Sequence, residues 1–212
     1  MWKIRGDRDY RYKYYDDAME AAIGDITFIL NQFEAINNSY FLGQLDKEAI
    51  AVMGHSFGGN VAHTIGFIDK HIKAVVDIDS KITERKIYGR IGVPPNQHGT
   101  PVLFIRGMMQ YQEDVGDSLS KIRNAKIWAP NVQHSAFSDK PFLASNINGF
   151  GKESTFSQFQ NWFLKKGPFF DAVDIDLGGK DVDPWYREFT SSIVTWLEMN
   201  LKQKGLKALL RK

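Results

Sequence analysis

Apolar residues recur every three or four positions in two stretches of the chain. The first stretch spans residues 17–37, and its apolar positions are Ala22, Ile26, Ile29, Phe33 and Ile36. The second begins after Pro184, and its apolar positions are Phe189, Ile193, Trp196, Leu197 and Leu201. This spacing places the apolar side chains on one face of an α-helix. The pattern therefore predicts an amphipathic helix near each end of the chain.

Four short apolar runs between these helices predict buried β-strands. They cover residues 49–54, 72–79, 101–107 and 126–130, and the second is rich in β-branched side chains. After the first run, small residues at Gly58, Ala62 and Gly66 suit a helix that lies close to a sheet. Strands separated by helical sequence are typical of a parallel sheet with helices on both faces. We therefore expect an α/β fold with a doubly wound parallel sheet.

The length, charge and cysteine content of the chain limit its domain number and its possible functions. Its 212 residues fit a single domain, with residues 1–16 as an extra or disordered segment. The tyrosines of that segment, Tyr10, Tyr12, Tyr14 and Tyr15, also suit an added edge strand. With 27 basic and 25 acidic residues, the net charge of +2 gives no strong field for binding nucleic acid. The absence of cysteine from the sequence excludes disulfides and thiolate chemistry.

The C-terminal tail combines basic residues with leucines. Its members are Lys202, Lys204, Leu206, Lys207, Leu209, Leu210, Arg211 and Lys212. A short amphipathic helix of this kind predicts weak contact with a membrane surface. At the other end, the opening residues contain no apolar run typical of a signal peptide. The protein is thus expected to be cytoplasmic if Met1 is the true start, and secreted if an N-terminal part is missing.

The first predicted strand runs directly into GHSFGG, residues 54–59. A serine held at a sharp strand-to-helix turn needs small neighbours, and Gly54 and Gly58 flank Ser56. Such a turn lifts the serine hydroxyl above the carboxyl edge of the sheet. The following helix points backbone N–H groups at the same place, and the Phe57 N–H is the predicted oxyanion donor. Ser56 is therefore the candidate nucleophile.

A serine nucleophile needs a base, and the sequence offers five histidines. Active groups of open α/β sheets gather at the carboxyl ends of strands. His71 and His98 precede strands, and His63 lies about two turns into a helix. His55 adjoins the serine and is expected to project away from it. His134, in the sequence VQHSAFSD, follows the fourth strand and is the candidate base.

Three aspartates are candidates for the acid that orients this base. The residues directly after the third strand, 108–110, contain no carboxylate. Asp79 ends the second strand, and Asp77 lies two residues deeper on the same face. Asp114 reaches the histidine only from a longer loop. Asp79 is the preferred candidate, and Asp77 and Asp114 are the alternatives.

These motifs resemble the platelet-activating factor acetylhydrolase branch of the α/β-hydrolases and its bacterial esterase relatives. The resemblance runs from about residue 16 to the C-terminal helix, and GQLDKEAIAVMGHSFGG, residues 43–59, is its most specific part. It implies hydrolysis of short acyl esters of small molecules or lipids, with Ser56 as nucleophile, His134 as base and Asp79 as acid. Dienelactone-hydrolase-like or polyester-cleaving activity is the alternative within enzymes.

No metal or organic cofactor is expected. The chemistry that the resemblance implies needs neither. An acidic run near the C-terminus lacks the ligand spacing of a calcium loop: Asp171, Asp174, Asp176, Asp181 and Asp183.

The chain departs from the family at its N-terminus. The relatives carry further strands there, and a loop that supplies the second oxyanion N–H, but nothing in residues 1–48 matches either. We therefore expect an N-terminally truncated hydrolase whose first strand forms an exposed sheet edge. Such an edge predicts a homodimer formed by edge pairing. It also leaves a non-catalytic hydrolase remnant or interaction protein as the alternative function.

Overall fold

The computed structural model of the chain describes residues 8–80, 94–108, 122, 124–138 and 181–209. Two helices precede the first strand, and a long helix closes the chain. The helices are α1 (Arg8–Asn31), α2 (Phe33–Tyr40), α3 (Phe57–Ile68) and α4 (Val182–Leu209). The strands are β1 (Ala51–His55), β2 (Ala74–Ile78), β3 (Val102–Ile105) and β4 (Ala125–Trp128).

The four strands form one parallel sheet in the order β1-β2-β3-β4. Met53 of β1 pairs with Val76 of β2, which pairs in turn with Leu103 of β3. Each predicted strand is present, with ends within two residues of the expected ones. Because all four strands run the same way, the residues that follow them meet at one edge of the sheet.

Helices cover both faces of this sheet. Side chains alternate along a strand, so neighbouring residues of β2 point to opposite faces. On one face, Val76 and Leu103 belong to a buried core that includes Trp185 of α4. On the other face, Val75 belongs to a core that includes Phe67 of α3. Burial of side chains of this size contributes roughly 1.5–3 kcal/mol each. The α/β fold with helices on both faces of a parallel sheet is thus confirmed.

Helix α4 also anchors the segment that follows β4. Its predicted apolar face lies in the core: Phe189, Ile193 and Trp196 are buried, with Leu197 and Leu201 packed beside them. Trp185 is fully buried, and its Nε1–H donates to the carbonyl oxygen of Ala136 at 3.0 Å. Ala136 belongs to a short 3₁₀ turn that begins at His134. Packing of α4 therefore fixes the backbone that carries the candidate base.

The N-terminal helices differ from their prediction. Helix α1 begins at Arg8 rather than near residue 17, and the helical run is interrupted at Gln32. The added edge strand expected within residues 1–16 is therefore wrong for residues 8–16. The reason is that Tyr15 packs edge-on against Phe57, with ring centroids 5.2 Å apart. Its hydroxyl also accepts a hydrogen bond from Asn60 at 2.6 Å, so α1 docks on α3.

Strand β1 lies at one edge of the sheet. Within the described ranges it pairs with β2 alone, and Met53 at its centre is 59% exposed. Pairing of two chains along this edge stays a prediction, as does the single-domain organisation.

The basic tail lies partly within a helix, since α4 continues to Leu209. Its contact with a membrane surface stays a prediction. Over the part of the chain that the structure describes, no helix has both the length and the apolar character needed to cross a bilayer.

Gly66 tests the close packing of α3 on the sheet. A Cβ at Gly66 would lie 2.1 Å from Cγ2 of Val75, a stiff and fully buried side chain. We expect Gly66→Ala to lower the free energy of unfolding by roughly 1–3 kcal/mol, as overpacking does.

The matched control is Gly24→Ala on α1, where the new Cβ meets nothing within 4 Å. There we expect a gain of about 0.5–1 kcal/mol from helix propensity. Urea unfolding followed by circular dichroism measures both changes. Equal effects of the two substitutions would contradict the packing of α3.

Candidate active site

Ser56 occupies a sharp turn between β1 and α3. Its backbone has φ 55° and ψ −119°, which non-glycine residues rarely adopt. Strain of this kind costs on the order of 1–3 kcal/mol and persists only where the surroundings hold it. The Ser56 N–H donates to the carbonyl oxygen of Ile78 at 2.8 Å, which fastens the turn to the end of β2. The serine therefore stands at the carboxyl edge of the sheet.

Two glycines make room for this turn, and one of them is not the glycine expected. A Cβ at Gly54 would lie 2.0 Å from the backbone oxygen of Gly58, so a side chain at residue 54 would collide with the main chain. A Cβ at Gly58 would meet nothing within 4 Å, and the expectation that Gly58 is needed for space is wrong. Gly59 takes that role, because its Cβ would lie 2.6 Å from Oδ1 of Asp77.

Phe57 is the first residue of α3. The first N–H groups of a helix have no acceptor within the helix, so the Phe57 N–H needs none of the helix carbonyl groups. The Phe57 side chain is 36% exposed and contacts Tyr15. The role of Phe57 as oxyanion donor stays a prediction.

Asp79 and His134 form a hydrogen-bonded pair at the same edge of the sheet. Nδ1 of His134 lies 2.5 Å from Oδ2 of Asp79. The Asp79 side chain is 1% exposed, whereas that of His134 is 40% exposed. The other carboxylate oxygen of Asp79 accepts the Gly107 N–H at 2.6 Å. A buried carboxylate held in this way can keep an imidazole in one tautomer and orientation.

The described contacts do not join Ser56 directly to His134. Among the described residues the Ser56 hydroxyl makes no hydrogen bond. The preceding residue does reach the base: Nε2 of His55 lies 3.2 Å from the carbonyl oxygen of His134, and the ring centroids are 4.5 Å apart. His55 is not the expected base, because it adjoins Ser56 in the sequence. In the structure its ring nevertheless packs against His134, the candidate base. The catalytic role of Ser56 stays a prediction.

His55 is held in its neutral form by its surroundings. Burial lowers the pKa of His55, the nearby His134 lowers it further, and Asp79 only partly opposes this. The neutral ring donates its Nε2–H to the His134 carbonyl oxygen. His55 thus supports the backbone of the candidate base without adding charge beside it.

The alternative acids lie elsewhere. Asp114 is outside the described residues. Asp77 is fully buried, and its carboxylate contacts Arg106, His63 and Ser80 rather than His134. Within the described residues, Asp79 is therefore the acid candidate that contacts His134.

The contacts of Asp77 form a buried polar network of four residues: His63, Asp77, Ser80 and Arg106. Each is at most 1% exposed. Burial acts to raise the pKa of Asp77, but Arg106 and His63 outweigh it and hold that pKa well below its usual range. No motif reveals this network. The one signal in the sequence is a charged residue at the end of each of two neighbouring apolar runs, VVD and FIR.

The remaining histidines lie at the opposite ends of the strands. Nδ1 of His71 is 2.8 Å from Asp69, and Nε2 of His98 is 3.2 Å from the carbonyl oxygen of Ile68. Across the described ranges, no three His, Cys, Asp or Glu side chains are grouped as a metal ion would require. Residues 171–180 of the acidic run lie outside those ranges.

Comparison with known proteins identifies a shared fold. No family model matches the chain, and no curated protein matches it. The solved structure of a ferulic acid esterase from Streptomyces cinnamoneus is similar, with a TM-score of 0.59 at 17% identity. The match covers 88% of this chain and 49% of that chain, so this chain spans about half the length of the esterase. At this identity the likeness shows the fold alone, an α/β fold that an esterase also has.

Gly54 tests the geometry of the serine turn. A methyl group there would collide with the backbone of Gly58, so the turn itself must move. We expect Gly54→Ala to lower the free energy of unfolding by about 2 kcal/mol or more. Gly58→Ala is the matched control, and we expect it to change stability by less than about 1 kcal/mol. Thermal unfolding measures both, and a Gly54→Ala protein as stable as the control would contradict the turn described here.

Proposed function

We propose that this protein is a serine-dependent carboxylic ester hydrolase. The observation that carries the proposal is the Asp79–His134 pair, at 2.5 Å, on the same sheet edge as a strained serine. Backbone strain of this kind clusters at catalytic sites. A carboxylate that contacts Nδ1 of an imidazole is the arrangement that orients the base in serine hydrolases. The fold shared with a ferulic acid esterase supports the same reaction class.

In the proposed reaction, Oγ of Ser56 attacks the ester carbonyl carbon while His134 accepts the serine proton. The carbonyl oxygen becomes an oxyanion, which the Phe57 N–H stabilises. Collapse of this intermediate breaks the bond to the alkoxy oxygen, and His134 gives its proton to the leaving alcohol. Water then gives a proton to His134 and attacks the carbonyl carbon of the acyl-enzyme. The bond to Oγ of Ser56 breaks, the carboxylic acid leaves, and His134 returns the proton to Oγ.

Asp79 stabilises the protonated base in this scheme. When His134 carries two ring protons, its positive charge faces the Asp79 carboxylate. Because Asp79 is 1% exposed and His134 is 40% exposed, water and salt screen this attraction less than they screen a pair at the surface. The Gly107 N–H holds one carboxylate oxygen while the other faces His134, so the carboxylate keeps its orientation through both steps.

We propose short acyl esters of small molecules or lipids as substrates. The support is the resemblance of residues 43–59 and of the sequence around Asp79 to the acetylhydrolase branch. The alternatives within enzymes are dienelactone-hydrolase-like and polyester-cleaving activities. Rates measured with p-nitrophenyl esters of increasing acyl length, with a dienelactone and with a polyester film, separate these substrate classes.

A non-catalytic interaction protein is the second candidate function. It is favoured by the edge of β1, where, within the described ranges, one side of the strand is unpaired and Met53 is 59% exposed. Such an edge suits the addition of a strand from another chain. A protein with this role alone would not react with an active-site serine reagent.

Ser56→Ala tests the nucleophile. We expect it to abolish covalent labelling by a fluorophosphonate and to lower ester turnover by about 10⁴-fold or more, because only binding and oxyanion effects remain. Ser191→Ala is the control, since Ser191 lies on α4 and its hydroxyl bonds to the carbonyl oxygen of Glu188. Labelling retained in Ser56→Ala would exclude the nucleophile assignment.

Asp79→Asn tests the acid. A neutral amide neither stabilises the imidazolium nor fixes its tautomer, so we expect kcat to fall by about 10⁴-fold. Asp69→Asn, which changes an aspartate paired with His71 instead, should leave kcat unchanged. If Asp114→Asn reduces kcat more than Asp79→Asn does, the acid follows the third strand and the assignment of Asp79 is wrong.

A further inference from the structure

We propose that Arg106 is a positioning residue for the acid: its ion pair with Asp77 sets the turn at Asp79 and so the hydrogen bond between Asp79 and His134. The inference rests on the proposed ester hydrolase function. It assigns a role to the buried network of His63, Asp77, Ser80 and Arg106, which takes no direct part in the reaction.

The Asp79 turn needs support from outside itself. Asp79 has φ 49°, in the left-handed region that residues other than glycine avoid. The residues on either side of this turn are tied to each other. The Ser80 hydroxyl donates to Oδ2 of Asp77 at 2.6 Å, and the Ser80 N–H donates to Oδ1 at 3.3 Å. Asp79 is thus held at the top of a loop that the Asp77 carboxylate closes.

Arg106 fixes the position and orientation of that carboxylate. Its Nη1 and Nη2 donate to the two carboxylate oxygens of Asp77 at 3.0 and 3.2 Å. Nη1 also lies 3.3 Å from the backbone oxygen of Asp77 and 3.2 Å from that of Ile105. A planar guanidinium bonded to both oxygens allows the carboxylate little rotation. Because both side chains are 0% exposed, water does not weaken the pair.

The backbone on both sides of Arg106 holds Asp79 itself. The Ile105 carbonyl oxygen accepts the Asp79 N–H at 2.7 Å, and the Gly107 N–H donates to the Asp79 carboxylate at 2.6 Å. Residues 105–107 therefore contact Asp77 through a side chain and Asp79 through the main chain. A shift of Arg106 moves both supports of the acid together.

The same network reaches the helix that begins after the serine. Nδ1 of His63, on α3, lies 2.8 Å from Oδ2 of Asp77. Asp77 also occupies the space next to Gly59. The Asp77 carboxylate is therefore in contact with the three segments that carry the nucleophile, the acid and the Gly107 donor.

Ser80→Ala is the sharpest test, because it removes one 2.6 Å bond and leaves the ion pair intact. We expect kcat for p-nitrophenyl acetate to fall about 10-fold, with KM changed less than about 2-fold, since misplaced groups slow the chemical step. We also expect the low-field proton resonance of the His134 Nδ1–H bond to shift or broaden. The control Thr100→Val removes a buried hydroxyl before the start of β3 and should change neither readout.

A charge-neutral double variant provides a second test. Removal of Arg106 or Asp77 alone leaves a buried charge unpaired and is expected to unfold the chain, whereas removal of both charges is often tolerated. We expect Asp77→Asn/Arg106→Met to fold and to lose the low-field resonance. If the double variant does not fold, the kcat and the proton resonance of Ser80→Ala test the role of the network.

Unchanged kcat and an unchanged resonance in Ser80→Ala would overturn the proposal. This outcome is distinct from failure of the proposed function. If a fluorophosphonate did not label Ser56 of the unaltered protein, the proposed ester hydrolase function would be wrong. The resonance would still report whether the network positions Asp79 against His134.

Discussion

Two carboxylates, those of Asp77 and Asp79, lie at the carboxyl end of β2. The geometry of the candidate site depends on the different contacts that these two groups make. Asp77 is fully buried and paired with Arg106, whereas Asp79 turns toward His134. Two unpaired negative charges at one strand end would repel each other. Arg106 balances the charge of Asp77, so the Asp79 carboxylate faces His134 without an unpaired anion beside it. The surroundings of the acid that faces His134 therefore depend on Arg106.

The serine turn is built on the same strand end. The Ser56 N–H bonds to the carbonyl oxygen of Ile78, and the absence of a side chain at Gly59 leaves space for Asp77. Nucleophile and acid thus share one support, so movement of β2 changes both. All five residues of β2 are buried, so neighbouring side chains hold the strand in place from both faces of the sheet. Rigid strands place side chains more accurately than loops do.

The spacing of apolar residues predicts much of the secondary structure correctly. The four strands follow from apolar runs, and the buried face of α4 follows from its helical period. The pairing of Asp79 with His134 follows from the rule that functional groups gather where parallel strands end. None of these inferences requires knowledge of which side chains meet across the sheet.

The features that the sequence does not reveal are contacts between distant residues. Arg106 and Asp77 are 29 positions apart and meet only because β2 and β3 are neighbours. Gly59 rather than Gly58 is the glycine that needs space, because Asp77 lies beside it. The alternating tyrosines near the N-terminus suggest a strand, but Tyr15 packs on α3 and residues 8–16 are helical. In each case a tertiary contact overrides the local pattern.

His55 shows how such a contact can serve chemistry. A second positive ring 4.5 Å from His134 would repel the positive charge that His134 gains in the proposed reaction. Burial instead lowers the pKa of His55 and keeps it neutral. The neutral ring still donates to the His134 carbonyl oxygen and holds the backbone of the base in place. The Asp79 carboxylate thus faces His134, and the neutral His55 ring adds no positive charge beside it.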